Sequence, residues 1–146
     1  MSKQLAVIGT GVIGNGWIAR ALARGWDVVA YDPDPQAPTR TRAFVANAWP
    51  SLEKLGLAEG ADPARLTFVD SLEQAVKEAD LVQENVPERI DIKRETLSAI
   101  DAAAAPNAII GSSTSGFKLP SCRVIVIIFP DASSSHILLI RCICCR

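Results

Sequence analysis

Six residues near the N-terminus, Gly9-Thr10-Gly11-Val12-Ile13-Gly14, have the spacing G-x-G-x-x-G. Glycine at the first position permits a tight turn. Glycine at the second removes a side chain so that backbone can approach a pyrophosphate, and glycine at the third lets a following helix pack closely. A helix that starts here offers unpaired N–H groups and a partial positive charge to phosphates. The bare spacing also occurs in plain strand–helix turns, so its neighbours decide what it means. Asp32 lies 23 residues after Gly9. A carboxylate there accepts hydrogen bonds from an adenosine ribose and repels a 2′-phosphate. The alternative for Asp32 is a turn residue ahead of Pro33. Loop and acid together predict a site for NAD rather than NADP, with Gly9, Thr10, Gly11, Val12, Ile13, Gly14 and Asp32 as its contacts.

Two later segments carry further candidates. In Gln83-Glu84-Asn85-Val86-Pro87-Glu88-Arg89, Pro87 stiffens a turn and Glu88 can reach a ribose hydroxyl. Lys93 lies five residues on, about one helical turn further. Both can equally be an ordinary acidic helix start with a solvated lysine. Ser112-Ser113-Thr114-Ser115-Gly116 puts four hydroxyls in a row. They form either a polar loop or a hydroxyl that bonds the oxygen of a substrate alcohol or ketone.

These residues need a scaffold, and the hydrophobic pattern supplies one. Short apolar runs at residues 5–8, 27–31, 66–69, 81–83 and 108–111 read as buried strands. Between them, apolar spacing predicts helices over residues 12–24, from about 36 with a break at Pro50, 71–79 and 90–105. Ser71 with Gln74 fits a capping box. Alternating strands and helices with continuous apolar strands predict an α/β fold, a Rossmann-type doubly wound parallel sheet. Right-handed crossovers place every strand's C-terminal end on one edge, and ligands bind there where the strand order reverses. The segments named above all follow strands.

Composition narrows the function class. The chain has 146 residues, 49% hydrophobic and 21% charged, with 15 basic residues against 16 acidic ones for a net charge of -1. That length supports one buried core. The charge balance leaves no electrostatic footprint for nucleic acid or for a charged membrane surface. No apolar run reaches the roughly 18 residues that span a bilayer. No signal-peptide pattern follows Met1, so a cytoplasmic domain is the expectation.

Four segments together resemble the 3-hydroxyacyl-CoA dehydrogenase superfamily, and within it the carnitine-dehydrogenase branch, with the lambda-crystallins more distant. They are Val7-Ile8-Gly9-Thr10-Gly11-Val12-Ile13-Gly14-Asn15-Gly16-Trp17, Tyr31-Asp32-Pro33-Asp34-Pro35, residues 83–89, and Ser112-Ser113-Thr114-Ser115-Gly116-Phe117-Lys118. The resemblance implies that Glu88 and Lys93 contact the nicotinamide ribose region and that Ser115 is the substrate-binding serine of the catalytic site. It also implies hydride transfer from a 3-hydroxy acid (carnitine, or a 3-hydroxyacyl-CoA) to NAD, with a histidine taking the hydroxyl proton. A homodimer built by a second, helical domain is implied as well. The other reading left open is an NAD-binding module without catalysis.

The resemblance stops at about residue 118, and the composition changes there. Residues 1–121 contain no cysteine, yet Cys122, Cys142, Cys144 and Cys145 fall in the last 25 residues. Their spacing to His or Asp is not that of a zinc site, so no metal is expected. His136 lies 21 residues after Ser115 but lacks the His-Pro-Phe-Asn-Pro context in which the family sets its base. Two domains are therefore expected: a cofactor-binding domain over 1–118 and an atypical, frameshift-like tail over 119–146. The sheet's own sixth strand and the dimerisation domain are expected to be missing, with residues 124–129 as a substitute edge strand. At most very weak turnover is expected from such a chain.

Overall fold

A strand that is apolar at every position needs cover on both faces, and β1 (Gln4–Ile8) has it: Leu5, Ala6, Val7 and Ile8 are all buried. The computed structural model describes residues 2–113, 124–128 and 138–141. After β1 come α1 (Val12–Ala23), β2 (Asp27–Tyr31), α2 (Ala37–Leu55), a 3-10 turn (Pro63–Arg65) and β3 (Leu66–Phe68). Then follow α3 (Leu72–Val76), β4 (Leu81–Glu84), α4 (Ile90–Ala103), β5 (Ile109–Ser112), β6 (Val124–Ile128) and β7 (Leu138–Arg141).

The sheet order is β3-β2-β1-β4-β5-β6-β7. Pairing is parallel from β3 to β6, and β7 is antiparallel to β6. The order reverses between β1 and β4, so a crevice opens beyond their C-terminal ends. Alternate residues of β1 serve the two faces. Leu5 and Val7 pack with Ile18 and Leu22 of α1 and Val45 of α2. Ala6 and Ile8 pack with Ala75 and Val76 of α3 and Leu97 and Ile100 of α4. Each fully buried Leu, Ile or Val contributes about 1.5–3 kcal/mol.

Several boundaries differ from the sequence expectation. Pro50 does not break α2, which runs unbroken from Ala37 to Leu55. Pro50 and Ala46 both lie on the exposed face, so the carbonyl that loses its helical donor turns toward water. The helix expected over 71–79 stops at Val76, and the one expected to residue 105 stops at Ala103. Ser71 caps α3 by accepting from the Gln74 amide at 3.2 Å. The Gln74 side chain reaches back one residue further than a capping box requires, accepting from the Asp70 amide at 3.3 Å. The substitute strand expected at residues 124–129 forms as β6 over Val124–Ile128, but β7 lies outside it, so it is not the edge. Replacing Pro50 with Ala restores a helical donor on a solvated face. The expected outcome is a gain of about 2 kcal/mol in urea denaturation, from the helix-interior penalty of proline less the chain entropy it withholds.

Candidate functional site

The glycine turn joins β1 to α1 by close backbone contact. Gly9 takes φ of 86°, and its N–H donates to the Tyr31 carbonyl at 3.0 Å. A Cβ on Gly14 would lie 2.1 Å from the Gly9 carbonyl oxygen, so the helix can approach the turn only with hydrogen there. A Cβ on Gly11, in contrast, would meet no atom within 4 Å. The middle glycine is not needed for packing; its bare face borders open space. Gly11 is also the N-cap of α1, with no side-chain cap and no acidic residue in the first turn. The helix start thus keeps its positive end for an external anion. Val12 and Ile13 follow with their side chains exposed.

Beside this turn stands Asp32, just beyond β2. Its Oδ2 accepts from both the amide and the hydroxyl of Thr10, each at 2.8 Å, and its Oδ1 accepts from the Asp34 amide at 3.0 Å. An ionised carboxylate offers about four acceptor positions, so one remains on Oδ1 for a further hydroxyl. Asp34 in turn accepts from the Gln36 amide and from Arg40. These contacts, the Gln36 amide foremost, hold its carboxyl below the usual carboxylate range. A cleft of about 1200 Å³ runs along this edge, lined by Gly9, Thr10, Gly11, Asp32, Asn85 and Val86 among others.

The far wall is built on a buried ion pair. Glu84 ends β4 rather than opening the loop after it, and is 0% exposed; Lys93 of α4 is 1% exposed. The Lys93 ammonium lies 3.1 and 3.3 Å from the two Glu84 oxygens and 3.3 Å from the Val86 carbonyl. Glu84 also accepts from the Val86 amide at 2.6 Å and from the Ser112 hydroxyl at 2.5 Å. A solvated lysine is therefore ruled out; Lys93 is buried behind the cleft lining, bonded to the carbonyl of Val86, which does line it. Glu88 is half-exposed, its carboxylate 3.8 Å from the same ammonium. Beside the pair, Gln83 Nε2 donates to Ser113 Oγ at 2.8 Å, and Ser113 Oγ donates to Asn85 Oδ1 at 2.6 Å. The Gln83 Oε1 atom is buried without a hydrogen-bond partner.

Sequence reading missed Glu84 and Ser112 as partners, because nothing in the chain order says that a strand-end acid meets a lysine nine residues on and a serine 28 residues on. Ser115, His136 and all four cysteines lie outside the described residues. Among the described residues, no helix is long and apolar enough to cross a membrane.

The family model "3-hydroxyacyl-CoA dehydrogenase, NAD binding domain" matches residues 4–122. An L-carnitine dehydrogenase of Oceanobacillus iheyensis is 62% identical over 116 residues, covering 80% of this chain and 38% of that one. An L-carnitine dehydrogenase of Streptomyces coelicolor is 53% identical over 117 residues, covering 80% and 37%. The chain thus spans a little over a third of the length of the curated relatives it matches. Among solved structures, (S)-3-hydroxybutyryl-CoA dehydrogenase from Ralstonia eutropha superposes with a TM-score of 0.74 at 28% identity, over 88% of this chain and 50% of that one. An NAD+-dependent dismutase, a 5-dehydrogenase of a pyridine carboxylic acid, gives 0.74 at 35% identity over 90% and 45%.

Two substitutions probe the two walls. Gly14→Ala forces the helix away from the Gly9 carbonyl, and thermal melting should fall steeply, with loss of about 1–3 kcal/mol for an overpacked contact. Lys93→Met leaves Glu84 buried and uncompensated. It should cost about 3–5 kcal/mol in denaturant unfolding, whereas a solvated lysine would cost almost nothing.

Proposed function

The chain belongs to the 3-hydroxyacyl-CoA dehydrogenase family and carries its NAD-binding domain, and from that premise we propose that it is the cofactor half of a dehydrogenase acting on a 3-hydroxy acid, L-carnitine before a 3-hydroxyacyl-CoA. The observation that carries the cofactor reading is the bare Gly11 face at an uncapped helix start, beside a carboxylate with one acceptor position left. The diphosphate sits on the turn at residues 9–14, with Gly9, Thr10, Gly11, Val12, Ile13 and Gly14 as its cradle. Asp32 holds the adenosine ribose. Its negative charge disfavours a 2′-phosphate, which makes NAD the preferred form. NAD, when bound, supplies the hydride acceptor.

The other assignments rest on family likeness. Glu88 and Lys93 stand at the nicotinamide ribose side, Lys93 through its grip on the turn at residues 85–88. Ser115 binds the substrate oxygen. Carnitine is preferred because the L-carnitine dehydrogenase relatives are more than half identical over four-fifths of this chain. The domain spans 1–118, with 119–146 as an atypical tail. The setting is cytoplasmic, the partner a small hydroxy acid rather than nucleic acid or membrane. The full family enzyme is a homodimer. A second reading is NAD binding without turnover, which the bare Gly11 face and the Asp32 carboxylate serve equally well.

Gly11→Val should leave the fold intact and lower the melting temperature only slightly, because a Cβ there meets no atom within 4 Å and the cost is that of a poorer N-cap. It should also lower NAD affinity at least tenfold in titration calorimetry; unchanged affinity would refute the cradle. Asp32→Ala should shrink the preference for NAD over NADP, and a ratio equal to wild type removes its assigned role. Incubation with L-carnitine and NAD decides between the two readings: NADH formation supports the dehydrogenase, and binding with no NADH supports the module.

A further inference from the structure

We infer that Glu84 is a positioning residue for the nicotinamide end of the bound dinucleotide, because its buried carboxylate ties the turn at residues 85–88 to α4 and β5. The inference rests on the NAD reading of the cleft. One oxygen accepts from the Val86 amide at 2.6 Å and from Lys93 at 3.1 Å; the other accepts from Ser112 at 2.5 Å and from Lys93 at 3.3 Å. Lys93 closes the loop by donating to the Val86 carbonyl at 3.3 Å. Both backbone polar groups of Val86 are therefore held by a charged pair from which water is excluded. Charge-assisted bonds in such a setting are short and directional.

Topology says which end of the ligand feels this. The glycine turn follows β1, Asp32 follows β2 on one side of it, and Glu84 ends β4 on the other. A dinucleotide with its diphosphate at β1 and its adenosine at β2 must extend its second nucleoside toward β4. There Asn85, Val86 and Pro87 border the cleft. The adenosine anchors, Thr10 and Asp32, share no hydrogen bond with the Glu84 cluster. Slackening the turn should thus disturb one half of the ligand and spare the other, an effect that general destabilisation would not produce.

The test titrates the full 146-residue chain with NADH and, separately, with ADP-ribose, which lacks the nicotinamide. Wild type should bind NADH with a change in nicotinamide emission. Glu84→Gln should weaken NADH about tenfold and abolish the emission change while ADP-ribose stays within about twofold. Ser112→Ala removes one donor but keeps the ion pair and so the fold. It should weaken NADH about threefold, again without effect on ADP-ribose. Ser112→Ala decides the matter if Glu84→Gln also loses ADP-ribose. Variants that keep the wild-type ratio of the two ligands overturn the inference alone. A wild-type chain that binds neither ligand overturns the reading of the cleft and the inference with it.

Discussion

The contact between the start of α1 and the end of β1 is the constraint on which the cleft depends. Two backbones meet so closely that one Cβ at Gly14 would sit inside the Gly9 carbonyl. That approach aims the helix axis, and with it the uncapped N–H groups, at the edge where the strand order reverses. The same turn carries Thr10 against Asp32, so the Asp32 carboxylate is oriented by the glycine loop itself. The glycine turn and Asp32 are one connected unit, which supports the proposed dinucleotide site.

The opposite wall is held by different physics. There the sheet ends in a buried charge pair, where desolvation would be prohibitive without full pairing. Each Glu84 oxygen has two donors, and the Lys93 ammonium has the carboxylate and a backbone carbonyl. The neighbouring Gln83–Ser113–Asn85 chain of hydrogen bonds extends the same stitching across the ends of β4 and β5. The cleft thus lies between a wall fixed by glycine packing and a wall fixed by a buried charge pair, and walls held in place before binding reduce the ordering cost of any ligand.

Much of this architecture was legible in the chain. Continuous apolar strands predict the parallel sheet, and the glycine spacing predicts the strand-to-helix turn found at residues 9–14. The failures have local causes. Pro50 reads as a helix breaker, but the carbonyl it orphans faces water, and tertiary packing of Val45, Ala48, Trp49 and Leu52 carries α2 through. By spacing alone Lys93 can be a solvated lysine; it is instead buried against Glu84 and the Val86 carbonyl. Glu84 reads as the first residue of a loop and is instead the last residue of a strand.

By itself the sequence determined the fold class, the glycine turn, the acid after β2 and the family likeness, because each depends on residue type at short spacing or on a period of apolar positions. Only the tertiary structure decided that Gly11 faces open space while Gly14 faces backbone, that Asp32 is already held by Thr10, and that Glu84, Lys93 and Ser112 meet. Those facts depend on four strands and two helices converging at one edge of the sheet, and no local pattern encodes which side chain will be the one left without water.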